Sequence, residues 1–95
     1  MRYAKAVDEN QAEIVKALRA VGASVTTLHG VGAGCPDLLV GFRQRTYLLE
    51  VKDGRKVPSK RALTKAEQDW ALSWRGGVYA VVECAEDALS TVGAR

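Results

Sequence analysis

Two apolar runs, "DLLVGF" at 37–42 and "TYLLEVK" at 46–52, are separated by only the three residues "RQR". Their apolar side chains fall on successive positions rather than alternate ones, which describes strands covered on both faces. So short a connector makes the pair an antiparallel hairpin, because a parallel return needs a dozen or more residues. A chain built around this hairpin therefore needs packing layers above and below it. Yet Asp37, Glu50 and Lys52 sit inside the segment. A chain of 95 residues has one core, with little stability to spare for buried charge that does nothing.

The flanking sequence supplies the layers. Residues 7–21, "VDENQAEIVKALRAV", space Val7, Ile14, Leu18 and Val21 along one face of a helix, with Asp8 or Asn10 as N-cap and Gly22 as the stop. "SVTTL" (24–28) is rich in β-branched residues and reads as a strand, and "HGVGAGCP" (29–36) reads as a glycine-punctuated loop. Beyond the basic loop "DGRKVPSKRAL" (53–63), Thr64 and Glu67 stand in capping-box register at the head of a helix that carries Ala66, Trp70 and Trp74 on one stripe. The two tryptophans at i, i+4 are expected in the core. "VYAVVE" (78–83) is a last strand and "AEDALSTV" (85–92) a closing helix. The order is α-β-β-β-α-β-α, and a crossover helix between strands makes the last strand parallel to an earlier one. The expectation is one domain over residues 1–95, of the α/β class, with three α/β/α layers on a mixed four-stranded sheet.

Several functions are disfavoured by composition. No uncharged apolar run is long enough to span a bilayer, and "MRYAKAVDEN" lacks the apolar centre of a signal peptide, so a cytoplasmic protein of a bacterial cell or a phage, without membrane contact, is expected. With two cysteines and one histidine, no zinc cluster of the usual spacing can be assembled, and a His-based nucleophilic triad is disfavoured. "HGVGAG" lacks the GK[ST] of a P-loop, which argues against a nucleotide cofactor. The net charge of +3 is mild, but Arg43, Arg45, Lys52, Arg55, Lys56, Lys60, Arg61 and Lys65 crowd the middle of the chain.

The acids can be placed more closely. Along "TYLLEVK" the strand period of two puts Leu48, Glu50 and Lys52 on one face and Tyr47, Leu49 and Val51 on the other. Directly opposed residues of a hairpin share a face, so Asp37 meets Glu50 only if paired positions sum to 87. That register needs a loop of Arg43 and Gln44, or 42–45 if the end pair frays; a three-residue loop opposes Asp37 to Val51 on the wrong face unless a bulge restores parity. Two carboxylates about 4 Å apart repel by roughly 4 kcal/mol at an effective dielectric near 20. A divalent cation removes that cost, and oxygen donors suit Mg²⁺ or Mn²⁺, which keep waters able to serve as nucleophile.

"CPDLLVG" followed by "YLLEVKDG", behind a helix and ahead of "LTKAEQDW", resembles the PD-(D/E)XK nuclease superfamily, specifically its small VRR-NUC type of phages and prophages, and more distantly the archaeal Holliday-junction resolvases. The resemblance covers nearly the whole chain. It implies a restriction-endonuclease-like core and a metal-dependent DNA endonuclease, leaving a 5′-phosphate and a 3′-hydroxyl, with branched or junction DNA among its targets. It implies that Asp37, Glu50 and the Val51 carbonyl hold Mg²⁺, with Mn²⁺ as a substitute, and that Lys52 orients the attacking water and stabilises phosphorane charge. Neighbouring carboxylates favour the charged form of Lys52, which disfavours it as a free base. Glu13, with Glu9 as second choice, matches the acid that resolvase-like relatives carry on the first helix as an extra metal or water-positioning group. Gln68 matches a Gln on the helix after the E-x-K strand and would orient Lys52 or a phosphate. The last strand departs from the pattern, with Glu83 in "VYAVVECAED" where the Val-Arg-Arg stretch is expected.

Sequence-independent phosphate contacts are expected from Arg55, Lys56, Lys60 and Arg61 just past Lys52, and from His29 with a close backbone approach at Gly32. Symmetric cutting of a junction requires two sites and hence a homodimer. The competing function is a non-catalytic nucleic-acid-binding module that keeps the nuclease fold.

Overall fold

The computed structural model describes residues 7–95, so the first six residues of the expected domain lie outside it. Helix α1 (Gln11–Ala20) buries Ile14 and Leu18 one turn apart and ends before Gly22, whose φ of 95° is the left-handed conformation glycine adopts freely. Strands β1 (Ser24–Thr27), β2 (Leu38–Phe42) and β3 (Arg45–Val51) follow. The basic loop contains a single 3₁₀ turn at Pro58–Lys60; then come α2 (Lys65–Ser73), β4 (Val78–Val82) and α3 (Ala85–Thr91). The sheet order is β1-β2-β3-β4, antiparallel between the first three strands and parallel between β3 and β4. The expected α/β architecture on a mixed four-stranded sheet is therefore what the chain forms.

Strand β3 divides the molecule. Tyr47, Leu49 and Val51 enter one core cluster with Ile14 and Leu18 of α1 and Ala88, Leu89 and Val92 at α3. The Tyr47 hydroxyl satisfies itself on the Val92 carbonyl at 3.3 Å. On the opposite face, Leu48 lies beside Tyr79 of β4, and Trp70 of α2 packs over Tyr79 with ring centroids 6.2 Å apart. Trp74 stacks on Trp70 at 5.0 Å and donates its indole N–H to the Gly77 carbonyl at 2.7 Å. A Cβ at Gly76 would run into the Trp74 ring, so only glycine fits there. The two tryptophans are half-buried and belong to this second layer rather than to the main core.

Three expectations change. The second face of the sheet is only partly covered: Leu48 is 4% exposed but its cross-strand neighbour Leu39 is 37% exposed. The turn is shorter than "RQR", since Arg45 already pairs with Phe42. Helix α1 has Asn10 at its N-cap position, as one of the two candidates expected, but the Asn10 side chain makes no capping hydrogen bond. Instead the Asn10 amide donates to the carbonyls of Lys52 (3.1 Å) and Glu83 (3.0 Å), tying together the ends of β3 and β4 where the ladder stops.

Candidate active site

The hairpin register decides whether the acids meet. Leu38 pairs with Leu49 and Phe42 with Arg45, so every pair sums to 87, and the ladder ends one residue short of Asp37. Arg43 and Gln44 form the two-residue turn, with φ values of 51° and 66°. Two left-handed residues give the primed turn whose twist suits a hairpin, even without the usual Asn-Gly. Asp37 lines one hollow with Glu67 of α2, and Lys52 contacts both Glu67 and Glu50, so all three lie toward the first turn of α2.

All three side chains are buried. The Asp37 carboxylate Oδ2 accepts the Val51 N–H at 2.7 Å, while the Asp37 N–H donates to the Leu49 carbonyl at 3.1 Å. Asp37 is therefore fixed against the end of β3 by its main chain and its side chain together. A strand residue points its N–H and C=O to the same side, so the Val51 carbonyl faces the same edge as Asp37. Glu50 is fully buried, and the Lys52 Nζ lies 4.0 Å from its Oε2. Two carboxylates and a main-chain carbonyl are hard oxygen donors, the chemistry that suits Mg²⁺ or Mn²⁺ with waters completing the shell rather than an enclosing protein cage. Among the described residues no group of three or more His, Cys, Asp or Glu side chains is spaced to hold a metal by itself.

The strongest contact of Lys52 was not legible from the motif. Its Nζ donates to Glu67 Oε1 at 2.9 Å, and Glu67 is the third residue of α2 in a complete capping box with Thr64. Gln68, the residue expected to orient Lys52, points outward and donates to the Leu63 carbonyl at 3.1 Å. The signal for Glu67 was present as T-x-x-E, but in sequence it reads only as a cap.

A hollow of about 220 Å³ reaches Asp37 and Glu67 and is lined also by Thr64 and by His29, Gly32, Gly34 and Cys35 of the glycine loop. His29 and Gly32 thus lie beside Asp37, both exposed. Gly34 fastens this loop to α2: its φ is 81°, and a Cβ there would collide with the Ala66 backbone. Glu13 lies elsewhere, exposed, in a separate hollow of about 390 Å³ with Asn10, Asp53, Arg55 and Glu83.

The basic loop is largely neutralised by local partners. Arg55 grips Asp53 with two parallel bonds, Nε to Oδ1 and NH2 to Oδ2, each 2.9 Å. Hydrogen bonds from the Arg55 side chain and then its backbone N–H hold the Asp53 carboxyl down at about 2, and Asp53 in turn raises the Arg55 guanidinium. Lys56 pairs with Asp8 at 3.2 Å and Arg61 with Glu83 at 3.2 Å, while Lys60 is exposed on the 3₁₀ turn. These acids are distant in sequence, so the pairing was hidden from it.

A solved structure named VRR_NUC domain matches with a TM-score of 0.53 and 27% identity, over 86% of this chain and 88% of that chain. No protein-family model and no curated protein matches the sequence. The chain is therefore similar in fold to a nuclease-type domain of the kind its "PD…EVK" motif resembles. No described helix is long and apolar enough to cross a membrane.

Proposed function

We propose that this protein is a metal-dependent DNA endonuclease, with Asp37, Glu50 and the Val51 carbonyl holding Mg²⁺ and Lys52 acting on the phosphate. One observation supports the reading: Asp37, Glu50 and Lys52 are all buried at one end of the hairpin, where Lys52 contacts Glu50 and Asp37 opens onto a hollow. Buried carboxylates in a small domain need compensation, because two of them about 4 Å apart would repel by roughly 4 kcal/mol. When bound, the cation would activate a water for attack on phosphorus and offset the charge of the carboxylates and the phosphate.

The chain's own groups supply the rest. Asp37 is oriented by the Val51 N–H, which fixes its carboxylate against the end of β3. Lys52 brings an ammonium, a compact donor suited to charge developing on phosphoryl oxygens. His29 and Lys60, both exposed, are proposed phosphate contacts, and Gly32 lets a backbone approach. Arg55, Lys56 and Arg61 would join them by exchanging their carboxylate partners for phosphate.

The test is incubation of purified protein with labelled linear, flap and four-way-junction DNA in Mg²⁺, Mn²⁺ or EDTA. The reading predicts cutting with metal, none with EDTA, and loss in Lys52→Ala. Binding without cutting under every condition, surviving in Lys52→Ala, assigns the protein instead as a non-catalytic nucleic-acid-binding module.

A further inference from the structure

Glu67 has two loads on one oxygen. Its Oε1 accepts the Thr64 N–H at 2.9 Å and the Lys52 ammonium at 2.9 Å. Its own N–H returns to Thr64 Oγ1 at 3.2 Å, so the capping box fixes the carboxylate before Lys52 arrives. The first turn of α2 is in turn seated against Gly34, where no side chain fits. Rigidity therefore runs from the glycine loop through α2 to Glu67 and ends at the Lys52 Nζ. Glu67 and Lys52 are both buried, so this short, charge-assisted contact is sheltered from water. Lysine has a flexible four-carbon stem, and the more distant Glu50, at 4.0 Å, holds it less firmly.

Resting on the nuclease reading, we propose that Glu67 is a positioning residue that fixes the Lys52 ammonium, and that its charge competes with DNA phosphate for that ammonium. Glu67 then favours orientation at the expense of affinity. Removing only the charge tightens DNA binding and slows cleavage, a divergence that simple loss of structure does not produce.

Glu67→Gln isolates the charge, because Gln serves at the third position of a capping box as Glu does. The expected unfolding midpoint is that of the wild type. In EDTA, labelled junction and duplex DNA bind about threefold more tightly, the effect of one like charge removed several ångströms from a phosphate in high dielectric. Single-turnover cleavage in Mg²⁺ slows by about tenfold or more, as expected for one charge-assisted hydrogen bond. Glu67→Asp keeps the charge on a shorter arm and is expected to slow cleavage without tightening binding. Unchanged binding and rate in Glu67→Gln, or weaker binding together with a lower midpoint, overturns the proposal and leaves Glu67 as a cap. An independent readout is the Lys52 ammonium ¹H–¹⁵N signal, identified by its absence in Lys52→Ala. It is expected to be sharp in the wild type and broadened in Glu67→Gln; a sharp signal in both means Glu67 does not hold the lysine. If the wild type cuts no DNA the nuclease reading fails by itself, and the ammonium signal still decides the Glu67 contact.

Discussion

The two faces of β3 are made by alternate residues of one seven-residue strand, yet they do opposite work. Tyr47, Leu49 and Val51 close against α1 and α3 in an apolar core, while Leu48 and Glu50, with Lys52 just beyond the strand, look toward α2. The core face tolerates no charge, and the other face concentrates it. Burial is as complete at Glu50 as at Leu49, so depth does not separate them; what separates them is the partner provided opposite. The lesson is that a strand buried on both faces can supply stability with one parity and chemistry with the other, at a spacing fixed by the pleat.

Paired substitutions test that division most severely. Lys52→Ala is expected to lower cleavage by about 10²- to 10³-fold, the loss typical of one donor to transition-state charge. Leu49→Ala, one pleat position away from Glu50, is expected to lose about 3 kcal/mol of stability by leaving a cavity, with cleavage by the folded fraction retained. Urea unfolding and single-turnover rates on both variants measure the crossover; a rate loss in Leu49→Ala that exceeds its unfolded fraction would erase the distinction between the faces.

Gly34→Ala probes the seating of the glycine loop on α2. A left-handed φ and a collision with the Ala66 backbone together are expected to cost about 2 kcal/mol, read as a lowered unfolding midpoint. At the opposite end of the hairpin, Gln44→Gly relieves a left-handed residue at φ 66° and is expected to raise stability by about 0.5–1 kcal/mol without altering register. The smallest effect is expected in the loop just past the end of β3. Asp53 is held at about 2, below the ordinary 3.8, so its contribution is present above pH 4 and is lost as pH falls toward 2. Asp53→Asn should therefore be less stable than wild type at pH 7, with the gap closing between about pH 4 and pH 2 in thermal melts.

Much of this was legible because parity is arithmetic. The demand that Asp37 face Glu50 already required the loop of Arg43 and Gln44, and that is the loop the chain forms. The order of elements was likewise readable from glycine and proline punctuation and apolar spacing. What was not legible depends on tertiary reach. Asn10 looked like a cap because caps are local, whereas its amide bridges strand ends that are 42 and 73 residues away. Glu67 and Gln68 are neighbours in sequence, and only the helix phase against β3 decides which one turns inward. The acids that occupy Lys56 and Arg61 come from opposite ends of the chain, so no local charge count reveals them.

Single-turnover cleavage by Asp37→Asn is the most direct test. Asparagine keeps an oxygen to accept the Val51 N–H, so the strand end stays tied while the carboxylate charge is lost. The expected result is a variant with a wild-type unfolding midpoint and a Mg²⁺-dependent rate lower by about 10³-fold or more. A folded Asp37→Asn protein that cuts DNA in Mg²⁺ as fast as the wild type would contradict a metal-dependent centre on this face of the sheet.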